Sequence, residues 1–236
     1  HNNNRTTKKG KRIMSKDISI VTSELPAHIK LGSTLGNENV TSEHLSVPRV
    51  KQLQKMSNEV DENHSDYMDN VKVGDFINTV TGENYGQEIL LVNVHFKEEY
   101  ICWKKREAGG GLLGSYPSKA EAITALTEAN EKENEVDITQ TQTHTLLKVD
   151  EKTGKIADIP FLFDCANSKL RVSKEWNTQI MKMSGDRFAA LWKMSSVSTT
   201  NRKGQAFMNI DISNVGWLNE ETYKSAKDFY MRSYGG

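Results

Sequence analysis

The chain has 236 residues, 36% of them hydrophobic and 26% charged, with Lys+Arg and Asp+Glu equal at 31 each. That composition supports a folded core in one large or two small domains, and zero net charge excludes a uniformly basic clamp, so any polyanion site must come from local clustering. No apolar run approaches the ~18 residues of a membrane span, and the opening HNNNRTTKKGKRIMSKDIS lacks the apolar middle of a secretory signal.

Residues 1–46 read as a flexible arm. Met14 and Ser15 look like a natural start, so 1–13 are set outside the fold, and one short strand is expected at 18–21. Arg5, Lys8, Lys9, Lys11 and Arg12 form a basic run that suits an unstructured tail better than a site. Order is expected from Val47, as a single domain over 47–236. Val50, Leu53 and Met56 have helical spacing, which predicts a short amphipathic helix or turn. NHSDYMDNVKVGD follows as a polar connector. Phe76 to Val80 and Glu88 to Trp103 are rich in β-branched and aromatic residues, with TGENYG as a reversing loop between them. The second run is long enough to be bent or bulged. Leu91, Asn93 and His95 alternate with Val92, Val94 and Phe96, which predicts one buried face.

YPSKAEAITALTEANEKEN is the clearest helix. Ser118 stands at capping-box spacing from Glu121, and Ala122, Ile123, Leu126 and Ala129 make a narrow apolar stripe. The acids from Glu128 to Asp137 then read as a solvated linker. Strands over 143–149 and 156–163 flank the turn DEKTGK. Trp176, Ile180 and Met183 predict a helix from Lys174, with LRV as a possible strand extension. FAALWKMSSVSTTNRKGQAFMNIDISNVGW is a second hairpin turning at NRKG. Asn219 caps a last amphipathic helix carrying Tyr223, Ala226 and Tyr230 on one face. Hairpins with short loops exclude a parallel sheet. The predicted fold is therefore α+β, a mostly antiparallel curled sheet or OB-like barrel decorated by helices.

Catalytic signatures are missing. No phosphate-binding loop, dinucleotide fingerprint or G-x-S-x-G is present, and the glycine run from Gly109 fits an ordinary loop better than a phosphate cradle. Neither a metal nor a cofactor is expected, since the histidines have no ligand spacing and Cys102 and Cys165 read as reduced core residues. A non-enzymatic binding protein is the expectation. Residues 121–137 hold six acids and one base, whereas 169–203 hold eight bases and two acids. Neutrality thus conceals local charge. YICWKKREAGGG places Trp103 before Lys104, Lys105 and Arg106 and three glycines, Gly109, Gly110 and Gly111. Trp192, Lys193, Arg202 and Lys203 repeat the mixture of ring and cation. Cations neutralise phosphates while aromatic faces stack unpaired bases, the requirement of a single strand. The periodicity of Trp176, Phe188 and Trp192 suits a buried core, which is the commoner setting for a tryptophan in an amphipathic segment.

The runs VPRVKQLQKMSNEV, VGDFINTVTGENYG and YICWKKREAGGGLLG resemble a group of tailed-bacteriophage proteins. The later portion, from THTLLKVD to GQAFMNI, is similar to the oligomer-binding layout of phage single-stranded DNA-binding proteins. The resemblance implies non-catalytic binding of single-stranded DNA in phage replication or recombination, in the cytoplasm of the infected bacterial host. Replication or recombination proteins are the implied partners, a homo-oligomer is compatible, and no membrane is involved. No family motif assigns the contacts; from the residues' own chemistry, Trp103 and Trp192 would stack, Lys104, Lys105, Arg106, Lys193, Arg202 and Lys203 would meet phosphate, and Gly109, Gly110 and Gly111 would form a mobile flap. The alternative is a virion component or accessory interaction protein without strand preference, and RNA is not distinguished from DNA. Many replication binders end in an acidic tail; here FYMRSYGG has no acid, and the acidic patch is internal.

Overall fold

A computed structural model describes residues 26–29, 35–39 and 47–235. The strand expected at 18–21 lies outside the described residues. The chain divides into two units, His1–Leu45 and Ser46–Gly236, and the second carries the sheet and helices. Strand β1 (Val50–Gln52) pairs with β2 (Phe76–Asn78) in a two-stranded sheet. The main sheet contains β3 (Glu88–Lys104), β4 (Leu112–Tyr116), β5 (Val136–Lys148), β6 (Phe161–Ala166), β7 (Ala190–Thr200) and β8 (Ala206–Trp217), in the order β6-β5-β3-β7-β8 with β4 also on β3. Every pairing between these strands is antiparallel. The sheet is open, with β6 and β8 at its ends. It is a curled sheet, and the closed barrel is not formed.

β3 is bulged, as its length suggested. Asn93 faces Leu146 and His95 faces Thr145, so Val94 has no partner on β5. Side chains alternate along a strand, and one extra residue reverses the alternation beyond it. Leu91 and Asn93 share one face with Phe96 and Cys102, while Val92, Val94 and His95 share the other. A single buried face was expected, but residues 91–94 are buried on both. The reason is that a helix covers each face. Helix α2 (Lys169–Met183) brings Trp176 and Ile180 against Leu91, Leu146, Phe163, Trp192 and Ile212. Helix α3 (Glu220–Tyr234) brings Ala226, Tyr223 and Tyr230 against Val92, Val94, Leu147 and Phe188. Helix α1 (Lys119–Glu128) closes a smaller cluster in which Ala122 and Leu126 meet Cys102 and Val136.

Local chemistry accounts for the helix starts. Glu121 N donates to Ser118 Oγ at 3.2 Å and Ser118 Oγ donates to Glu121 Oε1 at 2.9 Å, a reciprocal cap. Thr222 N donates to Asn219 Oδ1 at 2.9 Å. Helix α2 begins at Lys169 rather than Lys174, so LRV is helical. Val172 packs on the core, and that packing overrides the β-propensity of the segment. The helix expected near Val50 is instead β1. Val50 and Leu53 are buried, whereas Met56 is exposed. Gln52 Nε2 donates to Asn209 O at 2.8 Å, Gln54 Nε2 donates to Met208 O at 2.9 Å, and Met208 N donates to Gln54 Oε1 at 2.9 Å. Two amide side chains therefore satisfy the β8 backbone, which apolar spacing cannot reveal. TGENYG does reverse the chain, but β2 pairs with β1 rather than with β3.

Cys102 and Cys165 are free and buried, and burial pushes the Cys165 thiol up to about 12. Trp192 is fully buried and meets Trp176 edge-to-face at 5.9 Å. Replacing it with alanine leaves a large void, and Trp192→Ala is expected to cost about 3–5 kcal/mol in urea unfolding. Trp103→Ala should cost far less. An unchanged midpoint for Trp192→Ala would contradict this core.

Candidate nucleic-acid interface

The expected site residues fall into two groups. The first is the turn from β3 to β4. Trp103 alternates with buried Cys102 and is 44% exposed, with Leu112 across from it at 61%. Lys104 follows the Cys102 face, towards the loop after α1, where Nζ meets Glu131 Oε2 at 2.9 Å. That hydrogen bond holds the Lys104 ammonium above its ordinary pKa. Lys105 Nζ donates to Asn134 O at 2.9 Å and lies 3.9 Å from Asp137 Oδ1. The acids expected to be a solvated linker therefore lie against the cations expected to meet DNA. Arg106 is exposed, opens a 3-10 turn (Arg106–Ala108), and has no ion-pair partner among the described residues.

Gly109, Gly110 and Gly111 have φ of 112°, 69° and 107°. A Cβ at Gly109 or Gly111 would touch nothing within 4 Å, so glycine serves backbone sign there rather than space. Gly110 N donates to Lys105 O at 3.0 Å, and Lys104 N donates to Gly111 O at 2.9 Å. The run expected to be a flap is the hydrogen-bonded end of the β3–β4 hairpin, and β4 itself was missed because GGGLLG reads as a loop.

The second group lies on β7 and its turn. Trp192, expected to stack, is sealed in the core and offers no face to a base. Lys193 points to the other face and pairs with Glu88 Oε1 at 3.3 Å. Arg202 and Lys203 are exposed on the turn to β8, which Asn201 Oδ1 holds by accepting from Lys203 N at 2.9 Å and Gln205 N at 3.0 Å. Ser195 pairs with Glu88, the first residue of β3, and β7 runs on to Thr200. The Arg202 turn therefore lies past the start of β3, whereas Trp103 is near its end. A strand of 17 residues at about 3.3 Å each is roughly 55 Å long. The two groups do not share a groove.

Sequence reading also missed an exposed indole and a buried network. Trp217 is 61% exposed. Asn93 Nδ2 lies 2.9 Å from His144 Nδ1, and His144 Nε2 lies 2.7 Å from Ser173 Oγ, with the imidazole stacked on Trp176 at 4.6 Å. The amide–imidazole–hydroxyl order is that of a nucleophile triad. All three side chains are fully buried, which seals Ser173 from a substrate. With Asn93 donating to Nδ1, Nε2 carries the proton, the reverse of what an attacking serine needs. The alternation TQTHT signals this inward histidine, but its partners come from distant elements. Among the described residues no cluster of His, Cys, Asp and Glu could hold a metal, and no helix is long and apolar enough to cross a membrane.

An open, mostly antiparallel α+β sheet with a helix on each face and an exposed ring at one strand end defines the class. The chain belongs to the Pam3 phage gp34-like protein family, whose model matches residues 17–236. It is thus a bacteriophage-type protein, in agreement with the phage resemblance of its sequence. No curated protein and no solved structure matches it.

Burial, with the Arg187 charge second, holds the His144 imidazole down to about 3 from an ordinary 6.5. The folded protein keeps it neutral, so unfolding takes up a proton below pH 6.5. This contribution is fully present above pH 6.5 and is lost as the pH falls towards 3, with a slope up to ~1.4 kcal/mol per pH unit. His144→Gln should flatten that slope in denaturant titrations at pH 6.5 and 4.5. An identical slope in the variant would contradict a buried neutral histidine.

Proposed function

We propose that this protein binds single-stranded DNA without catalysis, in the replication or recombination of phage DNA in the host cytoplasm. The observation that carries the reading is Trp103, an indole left 44% exposed at the end of a strand, three residues before Arg106, which has no ion-pair partner among the described residues. An unpaired base has a free face for that ring, worth about 1–3 kcal/mol per stacked base. A duplex offers none. Arg106, Arg202 and Lys203 are exposed, so phosphate contact at any of them leaves the core intact. Lys104 and Lys105 contribute only by exchanging carboxylates for phosphates.

Because the two cationic turns do not share a groove, a strand stacked on Trp103 meets Arg106 alone, and the predicted salt dependence is shallow, with a log–log slope of about −0.7. Titration with a thymidine oligonucleotide and with a duplex, each at two salt concentrations, tests both affinity and strand preference. Trp103→Ala should weaken single-strand binding by about tenfold or more. Equal affinity for duplex, or no binding at low salt, ends the proposal. A large oligomer formed without nucleic acid would favour a virion component instead.

A further inference from the structure

β3 has a gap on one side. β7 pairs with it only as far as Val92, and β4 joins only at Tyr100. Among the described residues, 93–99 therefore have a partner strand only in β5. Residues 186–188 border this notch. With Val94, His95, Phe96, Lys227 and Tyr230 they line a pocket of about 560 Å³.

Arg187 is the unusual occupant. Its guanidinium lies over the Phe96 ring at 5.4 Å, and Nη2 donates to Asn177 Oδ1 at 2.6 Å. Nη1 is removed from solvent and has no hydrogen-bond partner. No carboxylate pairs with Arg187 among the described residues. Asp186 is adjacent in sequence, but its carboxylate accepts from Tyr223 Oη at 2.5 Å. A guanidinium has five N–H donors, and one edge of this one is desolvated without a counter-charge. Such a cation is costly unless an anion offsets it. Burial brings its pKa down to about 10, and burial first, with its field second, lowers those of His95 and His144. Lys227 on the exposed side of α3 lines the same pocket and has no ion-pair partner among the described residues.

We propose that this notch is a phosphoryl-binding pocket, in which Arg187 and Lys227 hold an anionic phosphate and the phosphate supplies the missing counter-charge. A planar guanidinium matches phosphate oxygens in pairs, and Lys227 adds a second cation, while the Asp186 carboxylate in the same lining is engaged by Tyr223. The phosphoryl group is either free phosphate or one unit of a DNA backbone; only the second source rests on the single-strand reading above. The pocket opens on the middle of β3, between the two cationic ends, and is distinct from the Trp103 turn.

Thermal unfolding with inorganic phosphate, against acetate and chloride at matched ionic strength, tests the pocket. Phosphate should raise the Tm of the wild type saturably. Lys227→Ala, on an exposed position that leaves the core intact, and Arg187→Lys should each weaken phosphate by about tenfold or more. A parallel titration uses a thymidine oligonucleotide. Weakening of phosphate and oligonucleotide together supports the pocket as a backbone seat. Weakening of phosphate alone supports a free-phosphate pocket. Phosphate binding with no oligonucleotide binding by the wild type sustains the pocket and removes the single-strand function. No saturable phosphate effect, or one unchanged in Lys227→Ala, overturns the pocket even if DNA binds.

Discussion

Val94 has no residue opposite it on β5, because Asn93 and His95 face the neighbouring residues Leu146 and Thr145. In a regular strand Cys102 would fall on the face of Val92, and Trp103 on the face of Leu91. The extra residue exchanges them. Cys102 turns towards α1, Trp103 turns away from it, and His95 stacks on Tyr234 of α3 at 4.0 Å while Phe96 meets His144 edge-on. One bulge thus sets which side chains α1, α2 and α3 cover and which ring remains outside. β3 also carries β5, β7 and β4, so every layer of the domain refers back to it.

The same alternation governs charge. Lys104 shares the Cys102 face, which directs it to Glu131 on the segment leaving α1. Lys105 meets the same segment through Asn134 and Asp137. Of three cations in sequence, only Arg106 has no ion-pair partner among the described residues. The chain's neutrality is therefore partly local, with acids placed against bases rather than on a separate tail. Pairs of this kind near the surface stabilise little, but they decide which positive groups stay open to a polyanion. Arg187 is the opposite case, a partly buried cation for which the described residues provide no acid.

Much of the architecture was legible from residue patterns. The long strand, its bulge, the β5–β6 and β7–β8 hairpins, the Ser118 and Asn219 caps and two buried cysteines all follow from local signals. Errors arose where partners are distant in sequence. Gln52 and Gln54 bind the β8 backbone 157 and 154 residues away, so β1 looks helical until β8 is in place. Three glycines resemble a loose loop, yet their positive φ values close a hairpin. The site was less legible than the fold. Rings at Trp103 and Trp192 look alike beside lysines, and only the cover from α2 tells them apart. Sequence also cannot show that the Arg202 turn lies past the start of β3 while Trp103 is near its end, or that no carboxylate pairs with Arg187 among the described residues.

Native-state amide hydrogen exchange, followed through a series of low denaturant concentrations, addresses the organising role of β3 most directly. If β3 is the shared spine, amides of Leu91 and Val92, which pair with both β5 and β7 and are covered by a helix on each face, exchange only through global unfolding, with the full denaturant dependence of the domain. Amides of the β3–β4 hairpin end near Gly110 should exchange through local opening. Local, weakly denaturant-dependent exchange at Leu91 and Val92 would contradict the account.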